Sequence, residues 1–181
     1  MKKLLTALAM LTLSVDLSTA TAHASGFDDH RGSKMRLGVD LPILIPIGDF
    51  SDVAGLGLGV GLFHFEYKLS GILALTGRTG YLFHLDSNER STWEFPFVAG
   101  IKFFISDLYL AGEMGLNIVG LSVDSPIGTV SKSDTQFATS LTAGYEIGDI
   151  DLRAGLWIPS LGDVGDGVEL YFSAGYNFLY F

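Results

Sequence analysis

Ile150-Asp151-Leu152-Arg153-Ala154-Gly155-Leu156-Trp157-Ile158 carries an apolar side chain at every even position and both of its charges at odd ones. A period of two sends successive side chains to opposite faces of an extended strand. One face is therefore purely aliphatic, and the other holds an acid, a base, a glycine and an indole.

The same division recurs in five further runs. Leu73, Leu75, Gly77, Thr79, Tyr81 and Phe83 separate from Ala74, Thr76, Arg78, Gly80 and His84, with Ile72 and Leu82 on the latter side. Trp93, Phe95, Phe97, Ala99, Ile101 and Phe103 separate from Glu94, Pro96, Val98, Gly100, Lys102 and Phe104. Leu110, Met114, Leu116 and Ile118 oppose Tyr109, Ala111, Glu113, Gly115 and Asn117, while Phe137, Leu141, Ala143, Tyr145 and Ile147 oppose Gln136, Ser140, Thr142 and Glu146. The last run sets Val168, Leu170, Phe172, Ala174, Tyr176, Phe178 and Tyr180 against Glu169, Tyr171, Ser173, Gly175 and Asn177. No ionised residue enters the apolar set. Hydrocarbon imposes that purity, because Arg or Lys at a bilayer midplane costs about 2–4 kcal/mol. The opposite set, rich in Gly, Ala and Ser with isolated charges of both signs, suits side chains crowded into a narrow bore.

Eight alternating runs are predicted, at 34–42, 54–69, 71–84, 92–105, 108–119, 135–147, 150–159 and 167–181. Their connections alternate in length. Ser70, Ser106-Asp107 and Gly148-Asp149 suit tight hairpins, whereas 43–53, 85–91, 120–134 and 160–166 are long and hold Gly, Ser, Asp and Pro. That is the topology of an even-stranded barrel with both termini inside, short periplasmic turns and long outer loops. The expected fold is all-β, an eight-stranded antiparallel up-and-down transmembrane β-barrel whose bore is just filled by side chains.

The remainder of the chain agrees with export. Lys2 and Lys3 precede an apolar run from Leu4 to Leu13 and the Ala22-His23-Ala24 site before Ser25, the three parts of a secretory signal. Residues 1–24 are read as that signal, 25–33 as a loose polar lead-in and 34–181 as the barrel domain. The apolar run is too short for a spanning helix of about 20 residues, and no other segment qualifies. The absence of cysteine excludes disulfides, thiol nucleophiles and cysteine metal sites. Loss of Lys2, Lys3 and Asp16 with the signal leaves 9 basic against 19 acidic side chains, which argues against nucleic acid as a partner.

Two places break the pattern. Beyond Leu62 the alternation would turn Phe63, Phe65 and Tyr67 inward and His64 and Glu66 toward lipid, so a β-bulge near Leu62-Phe63 is predicted. Pro96 cannot donate to a ladder and calls for a bulge or a place near the rim. Tyr81, Phe83 and Trp93 near one end, with Tyr145, Phe178 and Tyr180 near the other, are read as aromatic girdles at the headgroup level.

Pro46-Ile47-Gly48-Asp49-Phe50-Ser51-Asp52, the hairpin Tyr67-Lys68-Leu69-Ser70 leading to Leu73-Ala74-Leu75, Gly80-Tyr81 and the last strand ending at Phe181 resemble the small outer-membrane barrels of Gram-negative bacteria, the OmpA/OmpX-like class. The resemblance covers about 34–181. It implies a monomer in contact with outer-membrane lipid and lipopolysaccharide, and a terminal Phe181 read by the barrel-assembly machinery. Phe181 has the opposite parity to Tyr176, Phe178 and Tyr180. His84-Leu85-Asp86-Ser87-Asn88 is also similar to the His-x-Ser-Asn motif of outer-membrane lipid A deacylases, with one extra residue between His84 and Ser87.

The inward charges Arg78, Glu94, Lys102, Glu113, Glu146, Asp151, Arg153 and Glu169 are expected to pair across the lumen, since an unpartnered buried charge is costly. A filled plug is preferred over a switching gate because eight strands leave little room. Asp49, Asp52, Asp86, Glu89, Asp124, Asp134, Asp163 and Asp166, opposed by Arg90 and Lys132, fall in the outer loops and read as solvated surface, without the pattern of a dedicated calcium loop. The leading expectation is a non-enzymatic outer-membrane protein without cofactors, serving envelope integrity or surface contact, with limited permeability as a subsidiary role. The alternatives are a lipid A-modifying enzyme using His84 and Ser87, and a secreted lipocalin-like barrel whose Leu and Phe set lines the interior.

Overall fold

The computed structural model describes residues 33–52, 54–87, 90–125, 128–162 and 167–181; the signal segment and residues 25–32 of the lead-in lie outside them. Eight strands follow in order: β1 Met35–Ile47, β2 Gly57–Ser70, β3 Leu73–Ser87, β4 Arg90–Ile105, β5 Leu108–Ser125, β6 Gly128–Ile147, β7 Ile150–Ile158 and β8 Val168–Tyr180. Each pairs antiparallel with its neighbours in sequence, and β1 pairs with β8 to close the barrel. Among the described residues no helix is long and apolar enough to cross a membrane.

Two of the three short hairpins lie where they were expected, and the third turns at Gly71-Ile72 rather than at Ser70, which pairs with Leu73. Ile105 pairs with Leu108 and Ile147 with Ile150, so Ser106-Asp107 and Gly148-Asp149 are two-residue turns. Ser106 and Gly148 take φ of 61° and 58°, the positive value that the first position of such turns requires. The start of β1 and the end of β8 meet at this rim, where Phe181 N donates to Met35 O and its carbonyl accepts from Lys34 N and Met35 N.

The opposite end departs from expectation. Segment 43–53 is not a loop: β1 runs on to Ile47 and a single 3₁₀ turn, Gly48–Asp52, follows. Segment 120–134 is mostly ladder, with Gly120↔Ser133 through Ser125↔Gly128 continuing β5 and β6. Its composition reads as loop because residues 131–135 are all exposed. A hairpin that extends an existing ladder gets its backbone bonds without a buried face, and so lacks the hydrophobic alternation that reveals a strand. Segment 85–91 is likewise strand up to Ser87 and again from Arg90.

The faces divide as the alternation requires. Phe97 and Leu116 are 51% and 52% exposed on the outer wall, whereas Arg78 and Glu113, at 5% and 2%, are enclosed. The lipocalin-like alternative needs the reverse and does not hold. Tyr81 stacks on Trp93 at 6.1 Å toward the long-strand end, and Tyr145 and Phe178 are exposed toward the short-turn end.

The slip in β2 exists, but it sits at Gly61 rather than at Leu62-Phe63. Pairing with β3 passes from Val60↔Tyr81 to Phe63↔Thr79, and that with β1 from Leu58↔Ile43 to Leu62↔Asp40, so β2 carries one extra residue. Gly61, at φ 64°, absorbs it. Leu62 consequently turns inward, and Phe63 outward. Pro96 needs neither bulge nor rim: β4 pairs with β5 straight through Pro96↔Asn117. The β3–β4 pairing instead lapses between Thr79↔Phe97 and Leu82↔Glu94 without a change of register, which spares the missing donor. A further shift between Leu37↔Leu179 and Gly38↔Asn177 places an extra residue in β8 at Phe178. The parity of the last strand flips there, and Phe178, Leu179 and Phe181 all end exposed.

Candidate functional site

The interior is the one place where this chain concentrates chemistry. Four cations, Arg36, Arg78, Lys102 and Arg153, are buried there with seven carboxylates, Asp40, Glu66, Glu94, Glu113, Glu146, Asp151 and Glu169. Alternation on eight strands aims them all at one axis, and their bonds sort them into three tiers.

The inner tier lies nearest the short turns. Arg36 on β1 forks between Glu66 on β2 and Glu146 on β6: Nε donates to Glu66 Oε2 at 2.8 Å, Nη1 to Glu146 Oε2 at 2.9 Å, and Nη2 to both carboxylates. Lys102 Nζ donates to Glu66 Oε1 at 2.5 Å, Glu146 Oε1 at 2.6 Å and Asp151 Oδ2 at 3.1 Å, with the Tyr109 ring 3.7 Å below the ammonium. The Tyr109 hydroxyl and Arg153 Nη2 each donate to Asp151 at 2.5 Å. Asp40 lies 3.7 Å from Arg153 Nη1 and 2.8 Å from His64 Nδ1, and the other ring nitrogen of His64 is 2.8 Å from Asn177 Oδ1.

The middle tier is built on Arg78. Its Nε donates to Glu113 Oε2 at 2.6 Å, Nη1 donates to the Tyr171 hydroxyl at 2.6 Å, and Nη2 also donates to Glu113 Oε2. Thr76 and Ser140 add hydroxyl donors to the Glu113 carboxylate at 2.9 and 3.1 Å. Such forked, charge-assisted bonds are the strong ones, and the buried rings of Tyr109 and Tyr171 lie in the same interior.

The outer tier is different in kind. His84 Nε2 lies 2.6 Å from Glu169 Oε1 and 3.9 Å from Glu94 Oε1. Glu94 Oε2 accepts from Asn117 Nδ2 at 2.7 Å and from Trp157 Nε1 at 2.9 Å. Among the described residues neither Glu94 nor Glu169 forms a salt bridge with Arg or Lys.

All eight charges expected in the lumen are buried there, though in two separate groupings of ion pairs and one of carboxylates with histidine. Arg36, Asp40, His64, Glu66 and His84 belong to the same interior and were not among them. Arg36-Leu37-Gly38-Val39-Asp40 alternates as cleanly as β7, so its parity held the signal; the expected bulge already turned His64 and Glu66 inward, although they were not counted with the lumenal charges. The ring of His84 faces the bore rather than lipid. The side chain of Ser87, its expected partner in the deacylase reading, lies outside the described residues.

No protein-family model matches this chain, and no curated protein sequence matches it. Solved structures do. Ail, the attachment invasion locus protein of Yersinia pestis, superposes with a TM-score of 0.54 at 16% identity, over 81% of this chain and 97% of that one. The N-terminal β-barrel domain of Pseudomonas aeruginosa OprF gives 0.55 at 14% identity over 82% and 100%. Neisserial surface protein A gives 0.54 at 13% identity over 79% and 95%. This chain has the fold of the small integral outer-membrane β-barrels. Identities this low establish the fold alone.

Proposed function

We propose that the protein is an integral outer-membrane barrel, non-enzymatic and monomeric, that serves envelope integrity or surface contact through its outer end. The observation that carries this reading is the inversion of faces: apolar side chains exposed around the wall, and the charges enclosed. Only a surrounding of acyl chains makes that arrangement favourable. The partners are outer-membrane lipid and lipopolysaccharide along the wall, and the barrel-assembly machinery at the exposed terminal Phe181.

The lumen supports closure rather than transport. Arg78, Glu113, Tyr171 and Ser140 join β3, β5, β8 and β6 across the middle of the bore, so an ion entering it meets paired side chains tied to four strands. A lipid A-modifying role finds no support in His84, whose Nε2 is held by Glu169 inside. What remains to interact is the outer end, above all the β5–β6 extension with exposed Lys132 and Asp134.

Membrane fractionation with heat-modifiability tests the first part. The folded protein should reside in the outer membrane and change gel mobility on boiling; a protein recovered soluble and unmodified by heat defeats the reading. Planar-bilayer recording tests the second, and stable unit conductance in the wild-type protein would replace the plug with a pore.

A further inference from the structure

The inner and outer tiers each contain three metal-capable side chains within 4.8 Å of one another, Glu66-Glu146-Asp151 and His84-Glu94-Glu169. The inner trio is already neutralised, because Lys102 touches all three carboxylates and Arg36 two of them. The outer trio has no such cation. Its three side chains, and Asn117 beside them, are at most 2% exposed, yet Glu94 Oε1, Glu169 Oε2 and Asn117 Oδ1 accept no hydrogen bond. Buried acceptors left this way cost about 1–3 kcal/mol each, more when charged. Three together, around two carboxylates and an imidazole, describe a place suited to a positive charge that no Lys or Arg side chain among the described residues supplies.

We propose that His84, Glu94 and Glu169 bind a divalent first-row metal ion, with Zn²⁺ the best fit, at the outer end of the lumen. Two carboxylates with a neutral imidazole balance a divalent charge. One nitrogen and two oxygens suit zinc, whereas calcium and magnesium take oxygen. The geometry needs little change. Ligand atoms about 2.0–2.2 Å from a tetrahedral zinc stand about 3.4 Å apart. His84 Nε2 lies 2.6 Å from Glu169 Oε1 and 3.9 Å from Glu94 Oε1, so one pair opens and the other closes by well under an ångström. Supports for the ligands are present: Asn117 and Trp157 both orient Glu94 through its other oxygen, and Phe50 of the 3₁₀ turn packs edge-on to the His84 ring at 5.8 Å. Because the ligands come from β3, β4 and β8, the ion would cross-link three strands at the mouth.

The full chain, refolded in detergent and dialysed against Zn²⁺ with excess Mg²⁺ to occupy the acidic loops, should retain one zinc per barrel. Co²⁺ in its place should give the visible ligand-field absorption of a four-coordinate site. Glu94→Gln and Glu169→Gln should each weaken binding about tenfold or more while keeping heat-modifiable folding, and His30→Ala, in the polar segment that precedes β1 in the sequence, should leave it unchanged. Less than one equivalent of zinc in the wild-type protein overturns the proposal, whatever the variants do. Wild-type affinity in both glutamine variants overturns it as well.

Discussion

Lys102→Met keeps the length of the side chain and its apolar stem and deletes only the ammonium. In the native barrel that ammonium makes three charge-assisted hydrogen bonds, at 2.5, 2.6 and 3.1 Å. Counted separately, at about 1.5–3 kcal/mol each, they would sum to about 5–9 kcal/mol. That sum overstates the loss, because Arg36 still holds Glu66 and Glu146, and Arg153 with Tyr109 still holds Asp151. No carboxylate is left alone. Two cations would nonetheless face the four carboxylates of the inner tier instead of three, and the expected cost is the about 3–5 kcal/mol of removing one partner from a buried charged set. Urea titration of the barrel refolded in detergent, followed by gel mobility without boiling and by tryptophan emission, measures it. Glu146→Gln added to Lys102→Met should recover part of the loss, since it removes the surplus negative charge. A Lys102→Met protein within about 1 kcal/mol of wild type, the range of an exposed pair, would refute the view that the lumen is dry and ionic.

Three other outcomes follow from the same structure. Leu116→Arg, on the exposed wall between Phe97 and Phe137, should destabilise the barrel in liposomes by about 2–4 kcal/mol, while Ser131→Arg on the exposed extension should leave the same titration unchanged. Gly61→Ala should cost about 1–2 kcal/mol from backbone conformation alone, since a Cβ there meets nothing nearer than the Phe63 ring at 4.0 Å. Deletion of Gly61 should leave refolding intact, read as heat-modifiable gel mobility, because it removes the one extra residue and keeps Val60 outward, Leu62 inward and Phe63 outward on a regular ladder. Arg78→Ala should admit a small cation-selective leak past the unpaired Glu113, read as a reversal potential across a salt gradient in planar bilayers; an anion-selective leak would contradict the assignment of Glu113 to the bore.

The sequence announces the barrel through parity, and it is silent wherever parity carries no information. Along β3 to β8 the two faces meet different solvents, so a charge at Asp151 or Glu113 fixes the orientation of the whole strand. The β5–β6 extension has water on both sides, and residues 131–135 show no preference that could betray a strand. The bulge in β2 was visible as a conflict between Leu56-Leu58-Val60 and Phe63-Phe65, but its position was not. Gly61 was one of several alternating glycines, and only its positive φ distinguishes it. The opposite parity of Phe181 and Phe178 was the trace of the second bulge, but a β-bulge at the end of a strand has no following run to locate it. Inward charges were legible one strand at a time. Their grouping was not, because Arg36 and Glu146 lie 110 positions apart and meet only when the cylinder closes.

That closure explains why a membrane protein would keep an ionic interior. In lipid, the apolar wall gains little by facing a neighbouring strand rather than an acyl chain, so the hydrophobic effect does not select the closed cylinder as it selects a soluble core. Ladder bonds join only adjacent strands, and they would be equally satisfied by barrels of other strand number. Contacts between distant strands have to pass through the lumen. Here they are Arg36 on β1 to Glu146 on β6, Lys102 on β4 to Asp151 on β7, Arg78 on β3 to Tyr171 on β8 and His84 on β3 to Glu169 on β8. Each strut has a fixed length, so together they specify a cross-section of eight strands and penalise a wider or sheared one by leaving buried charges unpaired. Reversing one strut, by Arg78→Glu with Glu113→Arg, should preserve folding better than either single change. If the double exchange were no better than the singles, the pairing would not be what sets the cross-section.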